Sequence, residues 1–219
     1  MYRYMDKLNI KKLLNNIENP TILEIGCNDG QDTLEFIKTF SDITIYCFEP
    51  DNRAYSKFIQ NVNYKNCFIY NLAISNINGE LDFHVSDSNQ RKPGTPLCVG
   101  NNWDKSGSIK KPKLHTAVHP WCTFDKVVKV KTLKLDTWVE QNKINQIDFI
   151  WADVQGAEED MINGGINTFN EKVKYLYTEY SQTQLYEGDS SIDKITKLLS
   201  NFEIFEIMEN DLLLKNKNF

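Results

Sequence analysis

Residues 22–30 read Ile-Leu-Glu-Ile-Gly-Cys-Asn-Asp-Gly, an apolar run that leads directly into a loop with two glycines. Apolar residues at helical spacing follow at Leu34, Phe36 and Ile37. A strand, a glycine turn and a helix in this order let an α/β sheet present backbone N–H groups to a small ligand. Gly26 has no Cβ, so a ligand can approach its backbone closely. The stretch therefore predicts one edge of a ligand site.

The rest of the chain repeats this alternation of strand and helix. Strand-like apolar runs occupy residues 21–26, 43–50, 67–75, 147–154 and 172–180. Helical patterns occupy residues 5–18, about 29–40, 51–61, 157–163 and 190–200, and Gly164-Gly165 is expected to close the fourth of these. The pattern predicts a doubly wound, mostly parallel sheet with helices on both faces, an α-β-α sandwich.

Two further stretches favour strands outside this alternation. Residues 79–87 alternate apolar and polar side chains and predict an extra, half-buried strand. Residues 202–216 predict a hairpin that turns near Glu209. Between the extra strand and a strand expected from residue 127 onward lies an insert, residues 86–126, which is rich in proline and basic residues and shows little periodicity. A loop of this length is either functional or disordered, and its Trp and His residues favour a functional loop that contacts the substrate.

Composition limits the classes of protein. The chain has 219 residues without a break in composition, so we expect one domain, residues 1–219, with an N-terminal helix within residues 1–19. A net charge of −5 makes the chain a poor general binder of nucleic-acid phosphates. No apolar run reaches the roughly 18 residues that a membrane helix needs. The start lacks the apolar core of a secretory signal.

The five cysteines are odd in number, widely spaced and without a Cys-x-x-Cys pair. We expect reduced thiols and a cytoplasmic protein. The spacing His115-x-x-x-His119 resembles that of metal ligands, but Pro120 disfavours a continuing helix there and no cysteine pair accompanies it. We therefore expect no metal site. The sequence does not define an oligomeric state, and a homodimer stays open.

Polar residues follow three of the expected strands, where ligands lie in open α/β sheets. Glu49 comes 23 residues after Gly26, close to the spacing of the acidic residue that accepts hydrogen bonds from a ribose. The loop reads Gly26-x-x-x-Gly30, so neither the dinucleotide nor the P-loop phosphate cradle is complete. A nucleoside cofactor without phosphates fits better. S-adenosylmethionine has a ribose and a sulfonium cation, for which the buried carboxylate of Glu24 would be a partner.

Several blocks together resemble one known family. They are ILEIGCNDG, CFEPD, NLAISNINGELDFHVSD, TLKLDTWV and IDFIWADVQGAEEDMINGG, in this order between about residues 20 and 180. This set is similar to the FkbM family of S-adenosylmethionine-dependent methyltransferases. The resemblance implies a Rossmann-like, seven-stranded sheet with an antiparallel last strand. It also implies O-methylation of a hydroxyl on a small molecule such as a sugar, a nucleotide-sugar or a glycan-type metabolite.

The resemblance also implies which residues bind the cofactor. Those at the methionine end would be Glu24, Gly26, Asn28 and Gly30, with Cys27 packing in the same loop. Those at the ribose would be Glu49, Pro50 and Asn52, and those bordering the adenine would be Asn71, Leu72 and Ala73. Those facing the methyl group and the acceptor would be Asp153, Gln155 and Gly156. The family commonly has a lysine before this last motif and a glutamate at its third position, where this chain has Trp151 and Gln155.

An alcohol must lose its proton as it accepts a methyl group, so a base is expected. Asp153 is the first candidate, because its strand end faces the expected site. His119 is the second, because its loop could cover the acceptor. Glu158 and Glu179 are further carboxylates near the same strand ends. A carboxylate with an ordinary pKa is a weak base unless burial raises that pKa.

Two other classes of function stay open at this point. One is a nicotinamide-dependent oxidoreductase on a similar sheet, which the incomplete glycine pattern disfavours. The other is a binding module that kept the cofactor site but has no catalytic activity. The methyl acceptor itself cannot be derived from the spacing of residues in the insert.

Overall fold

A computed structural model describes residues 5–89, 102–181, 183–188 and 190–219. The middle of the expected insert, including Arg91, Lys92, Pro93, Pro96 and Cys98, lies outside the described residues. The elements in chain order are α1 (Lys7–Leu13), β1 (Thr21–Ile25), α2 (Gln31–Thr39), β2 (Thr44–Phe48), α3 (Asn52–Asn61), β3 (Cys67–Tyr70), β4 (Ala73–Ile74), β5 (Gly79–Ser88), α4 (His115–Val118), β6 (Cys122–Leu133), α5 (Leu135–Gln141), β7 (Ile147–Ala152), α6 (Glu158–Gly164), α7 (Ile166–Glu171), β8 (Val173–Glu179), α8 (Ile192–Leu198), β9 (Phe202–Ile207) and β10 (Asp211–Asn216).

Seven of the strands form one sheet in the order β3-β2-β1-β7-β8-β10-β9. The pairs from β3 through β8 are parallel. The last strand, β10, lies antiparallel to β8 and to β9. The expected α/β class, the mostly parallel seven-stranded sheet and its antiparallel last strand are confirmed.

Apolar side chains fill both faces of this sheet. One buried cluster includes Trp138, Met161 and Phe169 from the helices that follow β6 and β7. The other includes Ile10 and Phe36 from the helices at the start of the chain. Helices on both faces explain why the central strands are apolar on both sides and read as continuous hydrophobic runs.

Helix α1 is fixed to the second face by a buried cation. The Nζ of Lys7 lies 3.3 Å from the ring centroid of Trp151 and forms a 2.5 Å ion pair with Asp32. The Trp151 ring in turn stacks on Tyr177, with ring centroids 4.1 Å apart. Contact with an aromatic face and with a carboxylate offsets part of the cost of burying this ammonium group.

The run at 67–75 does not form one strand. It breaks at Asn71, whose side-chain amide donates hydrogen bonds to the carbonyl oxygens of Glu49 (2.8 Å) and Pro50 (3.4 Å). After this break, β4 joins a second, three-stranded sheet in the order β4-β6-β5. Strand β6 begins at Cys122, inside the stretch that the sequence assigned to the insert, because it pairs along the whole length of β5.

A second helix follows the point at which the sequence predicted that Gly164-Gly165 ends the helix after β7. Helix α7 follows α6 directly after Gly165. The carboxylate of Asp136 accepts hydrogen bonds from the backbone N–H groups of Asn167 (3.3 Å) and Thr168 (2.8 Å) in the first turn of α7. This N-terminal capping comes from a residue far away in the sequence, so local patterns do not reveal it.

Among the described residues, no helix has the length and the apolar character that crossing a membrane requires.

We predict that Gly26→Ala destabilises the fold strongly. A Cβ at Gly26 would lie 1.8 Å from the carbonyl oxygen of Asp153, and the residue has a φ of +88°. The matched control is Gly79→Ala, where φ is +142° but no atom lies within 4 Å of the added carbon. Backbone strain alone costs about 1–3 kcal/mol, so urea unfolding should show a clearly larger loss for Gly26→Ala. Equal losses in the two variants would contradict the steric argument.

Candidate active site

A cleft with a cavity volume of about 230 Å³ opens at the carboxyl ends of β1, β2 and β7. Its floor is the loop Gly26–Asn28, and its walls include Glu49 and Asp153. Both Gly26 and Asn28 have positive φ angles, of 88° and 46°. The left-handed turn follows from the glycine and from asparagine's tolerance of this conformation. The strand, loop and helix of the opening motif thus form one side of a ligand-sized cleft.

Glu49 is held in a fixed orientation at the end of β2. One of its carboxylate oxygens accepts a hydrogen bond from the backbone N–H of Asn28 (2.9 Å), and the other accepts one from the N–H of Asp51 (2.7 Å). The side chain is buried, and this burial raises its pKa to about 8. When the carboxyl group is ionised, each oxygen keeps a lone pair that can accept a hydrogen bond from a ligand hydroxyl.

Asn28 presents an oxygen that lacks a partner. Its side-chain amide donates to the backbone carbonyl of Asp104 at 3.0 Å. Its Oδ1 is buried and has no hydrogen-bond partner among the described residues. A buried acceptor without a donor costs free energy, and a ligand ammonium or hydroxyl group would supply that donor.

The segment 102–109 of the insert covers the cleft and is fixed on both of its sides. On one side, the hydroxyl of Ser86 in β5 donates to the carbonyl of Trp103 at 3.0 Å and accepts from the N–H of Ser106 at 3.2 Å. On the other side, the hydroxyl of Ser108 donates to the carbonyl of Gln155 at 2.7 Å. The insert therefore helps to build the cleft, in which Asp104, Lys105, Gly107, Ser108 and Ile109 are lining residues.

One part of the cleft is apolar. Its lining there comes from Phe48 at the end of β2, Leu72 and Ala73 after β3, Phe83 in β5 and Ile109 in the insert. Such a surface suits the planar face of an aromatic ring such as adenine. This apolar part and Glu49 line the same cleft, as binding of a nucleoside requires.

Asp153 and Gln155 stand at the other part of the cleft, after β7. Gln155 has a φ of 51°, and its Nε2 donates to Asp153 Oδ1 at 2.6 Å and to Glu179 Oε2 at 3.4 Å. The hydroxyl of Tyr186 donates to Gln155 Oε1 at 3.1 Å. Burial raises the pKa of Asp153 to about 6. The charge of Asp153 and burial raise the pKa of Glu179 well above its ordinary value.

A second, smaller cleft with a volume of about 50 Å³ lies beyond Gln155. Gln155 lines both clefts. Glu158 and Glu179 line the small one, together with Gly156, Tyr180, Ser181, Thr183, Gln184, Leu185, Tyr186, Gly188 and Ser190. Glu158 accepts a hydrogen bond from the Gly156 N–H at 3.2 Å, and burial raises its pKa to about 7.

The structure places nine of the expected site residues on the lining of the large cleft. They are Gly26, Cys27, Asn28, Glu49, Pro50, Leu72, Ala73, Asp153 and Gln155. Gly156 and Glu158 line the small cleft instead. Burial raises the pKa of the Cys27 thiol to about 12, so this thiol is a packing group rather than a nucleophile.

Four expected residues lie away from both linings. Glu24 is buried beneath the loop, where its carboxylate accepts a 2.5 Å hydrogen bond from Thr33 and burial raises its pKa to about 8. Gly30 is the N-cap of α2 and packs against Phe58 and Val62. Asn52 is an exposed residue in the first turn of α3, and Asn71 holds the end of β2 through its backbone contacts. These four positions lie outside the linings of the two clefts, and their role in ligand binding stays a prediction.

His119 also lies on neither lining. Its ring packs beside His115, at a centroid distance of 5.0 Å, and beside Trp121, at 6.0 Å. The end of α4 and the start of β6 hold it within a cluster of aromatic rings. This position does not support His119 as the base, although its loop does belong to the insert.

The sequence did not identify several residues of the site. Asp29, Gln31 and Asp32 at the start of α2 line the large cleft, and so does the segment 102–109. The unusual composition of the insert was a signal, but it suggested contact with the acceptor only. Tyr186 gave no signal, because its hydrogen bonds to Gln155 and to the carbonyl of Ser106 join distant parts of the chain. Among the described residues, no group of three or more His, Cys, Asp or Glu side chains could hold a metal ion.

The sheet order and the cleft at its carboxyl edge place the protein in the Rossmann-like α/β class, in which ligands bind at the carboxyl ends of the strands. Comparison with known proteins identifies the family. Residues 24–204 match the Methyltransferase FkbM domain, and the chain belongs to this family. The expected family is thereby confirmed, and the nicotinamide-dependent alternative is wrong.

The chain is also similar to a curated protein and to solved structures. It is 39% identical over 203 residues to the 2-O-methyltransferase NoeI of Sinorhizobium fredii (strain NBRC 101917 / NGR234), covering 90% of this chain and 80% of that protein. A Listeria monocytogenes structure described as an S-adenosylmethionine-dependent methyltransferase aligns with a TM-score of 0.51 at 7% identity, over 96% of this chain and 97% of that one. A Staphylococcus aureus structure described as a caffeoyl-CoA O-methyltransferase aligns with a TM-score of 0.50 at 12% identity, over 98% of this chain and 86% of that one. These two structures support the fold alone.

The protein is thus a methyltransferase, and its methyl donor is S-adenosylmethionine. The residues of the large cleft fit this cofactor. The unpartnered Oδ1 of Asn28 and the free lone pairs of Glu49 can accept hydrogen bonds from it, and the apolar part of the lining suits adenine. Glycine at position 26 keeps the floor open to a ligand.

We predict that Glu49→Gln weakens cofactor binding. An amide cannot accept hydrogen bonds at both ends, so its NH₂ group would face the N–H of Asn28 or Asp51. Loss of a buried acceptor costs about 1–3 kcal/mol, which corresponds to a rise of roughly 5- to 150-fold in the dissociation constant of S-adenosylhomocysteine. Isothermal titration calorimetry measures this rise, with exposed Glu80→Gln as the control. An unchanged affinity in Glu49→Gln would contradict the role of Glu49.

We predict that the free energy of unfolding falls as the pH rises from 6.5 to 8. In this window the folded chain keeps protons on Glu24 and Glu49, whose pKa values are about 8, and in part on Glu158, whose pKa is about 7, and the unfolded chain has lost them. Stability therefore falls with rising pH, by about 3 kcal/mol over the window from Glu24 and Glu49 alone. Burial lowers the pKa of His115 to about 4. This group makes the free energy of unfolding rise with pH, but only below about pH 6.5.

Urea unfolding at several pH values tests this dependence. The same measurement on Glu49→Gln should give a shallower slope, because one of the proton-retaining carboxyl groups is removed. Stability that is constant or rises between pH 6.5 and 8 would contradict the assignment of buried, protonated carboxyl groups.

Proposed function

We propose that the protein transfers the methyl group of S-adenosylmethionine to a hydroxyl oxygen of a small, sugar-type acceptor. The observation that carries this proposal is the 39% identity, over 90% of the chain, to a relative named a 2-O-methyltransferase. The polar lining of the small cleft supports it, since hydroxyl and amide groups such as those of Ser181, Thr183 and Gln184 suit a polyhydroxyl ligand.

In this proposal the large cleft binds the donor in one orientation. Glu49 accepts hydrogen bonds from the ribose hydroxyls, and Leu72 and Ala73 border the adenine. The loop from Gly26 to Asn28 would hold the methionine end, and Asp153 would face it. The methyl group would then lie toward the side of the cleft that Gln155 shares with the small cleft.

The residues contribute chiefly by positioning. Bound S-adenosylmethionine supplies an electrophilic methyl group on a sulfonium, and transfer to oxygen is an in-line displacement. Holding the acceptor oxygen close to the methyl carbon and in line with it can supply a large part of the rate. Ser86 and Ser108 hold the segment 102–109 across the cleft, which keeps water away from the donor.

The acceptor class is a sugar, a nucleotide-sugar or a glycan-type metabolite. Lys105 lines the large cleft and is exposed, so an acceptor with a phosphate group would find a cation at the rim. The net charge of −5 favours a small molecule over a nucleic acid. A cytoplasmic location fits the reduced thiols of Cys27, Cys47, Cys67 and Cys122.

We predict methyl transfer to saccharides, with the methyl group on oxygen. The measurement incubates the protein with isotopically labelled S-adenosylmethionine and a panel of monosaccharides, nucleotide-sugars and oligosaccharides, and analyses products by mass spectrometry and NMR. The expected product is a mono-O-methyl saccharide, with the 2-hydroxyl as the first position to check. Control acceptors are the matching 2-deoxy saccharides, which should give no product if that hydroxyl is the acceptor.

Two outcomes would contradict the proposal. Methylation of nitrogen or sulfur acceptors without any O-methyl product would assign a different reaction. Tight binding of S-adenosylhomocysteine without any methylated product across the panel would favour the catalytically inactive binding module.

A further inference from the structure

The small cleft beyond Gln155 has the features of a ligand site rather than of a packing defect. Its residue Glu158 is 1% exposed, and the Ser190 hydroxyl lies near enough to the Glu158 carboxyl to lower its pKa by a hydrogen bond, yet the Oε2 atom lacks a well-aligned hydrogen-bond donor among the described residues. Buried carboxylate oxygens in folded proteins are normally paired. A hydroxyl group entering the cleft would donate the missing hydrogen bond.

The size of the cleft defines what enters it. Holding one water molecule takes roughly 10–15 Å³ of such a cavity, so a volume of about 50 Å³ accommodates a few hydroxyl groups of an acceptor. The acceptor would therefore enter by an edge, and its ring would contact Tyr180 and Leu185, partly exposed residues that also line the cleft. Their apolar and aromatic surface suits the C–H face of a saccharide.

The position of the cleft relates it to the donor site. Gln155 lines both clefts, so its side chain lies where a donor in the large cleft and an acceptor in the small cleft come closest. In-line transfer needs the acceptor oxygen on the side of the methyl carbon opposite the sulfur. The two clefts adjoin at Gln155, so a donor whose methyl group faces the small cleft past this side chain would meet the requirement.

Three carboxylates near Gln155 could take the proton of the acceptor. Asp153 lines the donor cleft only, and its Oδ1 already accepts the 2.6 Å hydrogen bond from Gln155. Glu158 is almost fully buried, so it has no direct path for passing a proton to water. Glu179 lines the small cleft, is partly exposed and receives a long 3.4 Å hydrogen bond from the Gln155 Nε2.

Building on the proposed function, we infer that the small cleft binds the acceptor hydroxyl and that the carboxylate of Glu179 removes its proton. The O–H bond breaks and the proton goes to a Glu179 oxygen, while the oxygen forms a bond to the methyl carbon. The C–S bond breaks and its electron pair stays on sulfur, which becomes neutral. Glu179 then releases the proton to water at the mouth of the cleft.

The charges around Glu179 make it a suitable base. Asp153, Glu158 and Asp211 are the acidic groups that act on it, from the turn after β7, from α6 and from β10, the strand that pairs with β8. Their negative charges raise its pKa and with it the affinity of Glu179 for a proton. Gln155 keeps Glu179 and Asp153 in a fixed relation through one shared amide group.

The first test replaces the proposed base, Glu179, and measures catalysis and cofactor binding separately. Glu179→Gln should lower kcat for the best saccharide at least about 100-fold, while the dissociation constant of S-adenosylhomocysteine stays within twofold. Glu179→Asp should retain part of the activity. The wild-type rate should rise with pH through the raised pKa of Glu179, and the residual rate of Glu179→Gln should lack this rise. The control is Glu159→Gln, in which a carboxylate of α6 paired with Lys194 is lost.

The second test fills the cleft. Leu185→Trp places a large ring at its mouth and should raise KM for the saccharide at least about tenfold, with cofactor binding unchanged. The backbone hydrogen bonds of Leu185 do not involve its side chain, so the fold should persist, and a thermal unfolding curve checks this.

The outcomes separate the inference from the proposed function. Three results would overturn the inference and leave saccharide methylation standing. They are a kcat of Glu179→Gln within threefold of wild type, a loss of cofactor affinity in Glu179→Gln as large as its loss of kcat, and an unchanged KM in Leu185→Trp. A wild-type protein that methylates no hydroxyl in the panel would overturn both.

Discussion

The site depends on one close contact between two backbones. Strands β1 and β7 are parallel neighbours at the centre of the sheet, and Gly26 lies so near the carbonyl of Asp153 that a Cβ would be 1.8 Å from its oxygen. Only a residue without a side chain allows both turns to reach the same point. This contact brings the loop that forms the cleft floor against the Asp153–Gln155 turn, and thereby joins the donor cleft to the smaller cleft beyond it.

The second constraint is electrostatic. Burial raises the pKa values of Glu24, Glu49, Asp153 and Glu179, and the last two also repel each other. Asp153 and Glu179 lie at the end of the site where the methyl group is expected, and a cationic ligand near them would favour their ionised forms. S-adenosylmethionine carries such a charge, and S-adenosylhomocysteine lacks it.

The sequence was sufficient where local patterns determine structure. The strands of the parallel sheet follow from apolar runs, and the positions of Gly26 and Glu49 at a cleft follow from spacing. The sequence did not predict features in which a side chain forms hydrogen bonds with the backbone of a distant part of the chain. Asn71 ends a strand by bonding to the end of β2, and Asp136 caps α7 from another helix. Likewise, Ser108 attaches the insert to the Gln155 turn, which no periodicity or propensity could indicate.

The most direct test of the central claim is a crystal structure of the protein with S-adenosylhomocysteine. We predict that the ribose hydroxyls lie within hydrogen-bonding distance of the Glu49 carboxylate, with the adenine beside Leu72 and Ala73. The sulfur should face Asp153 and Gln155, with the small cleft beyond them. A ligand bound outside the large cleft, or one whose ribose lies away from Glu49 with its sulfur turned from Gln155, would contradict this assignment.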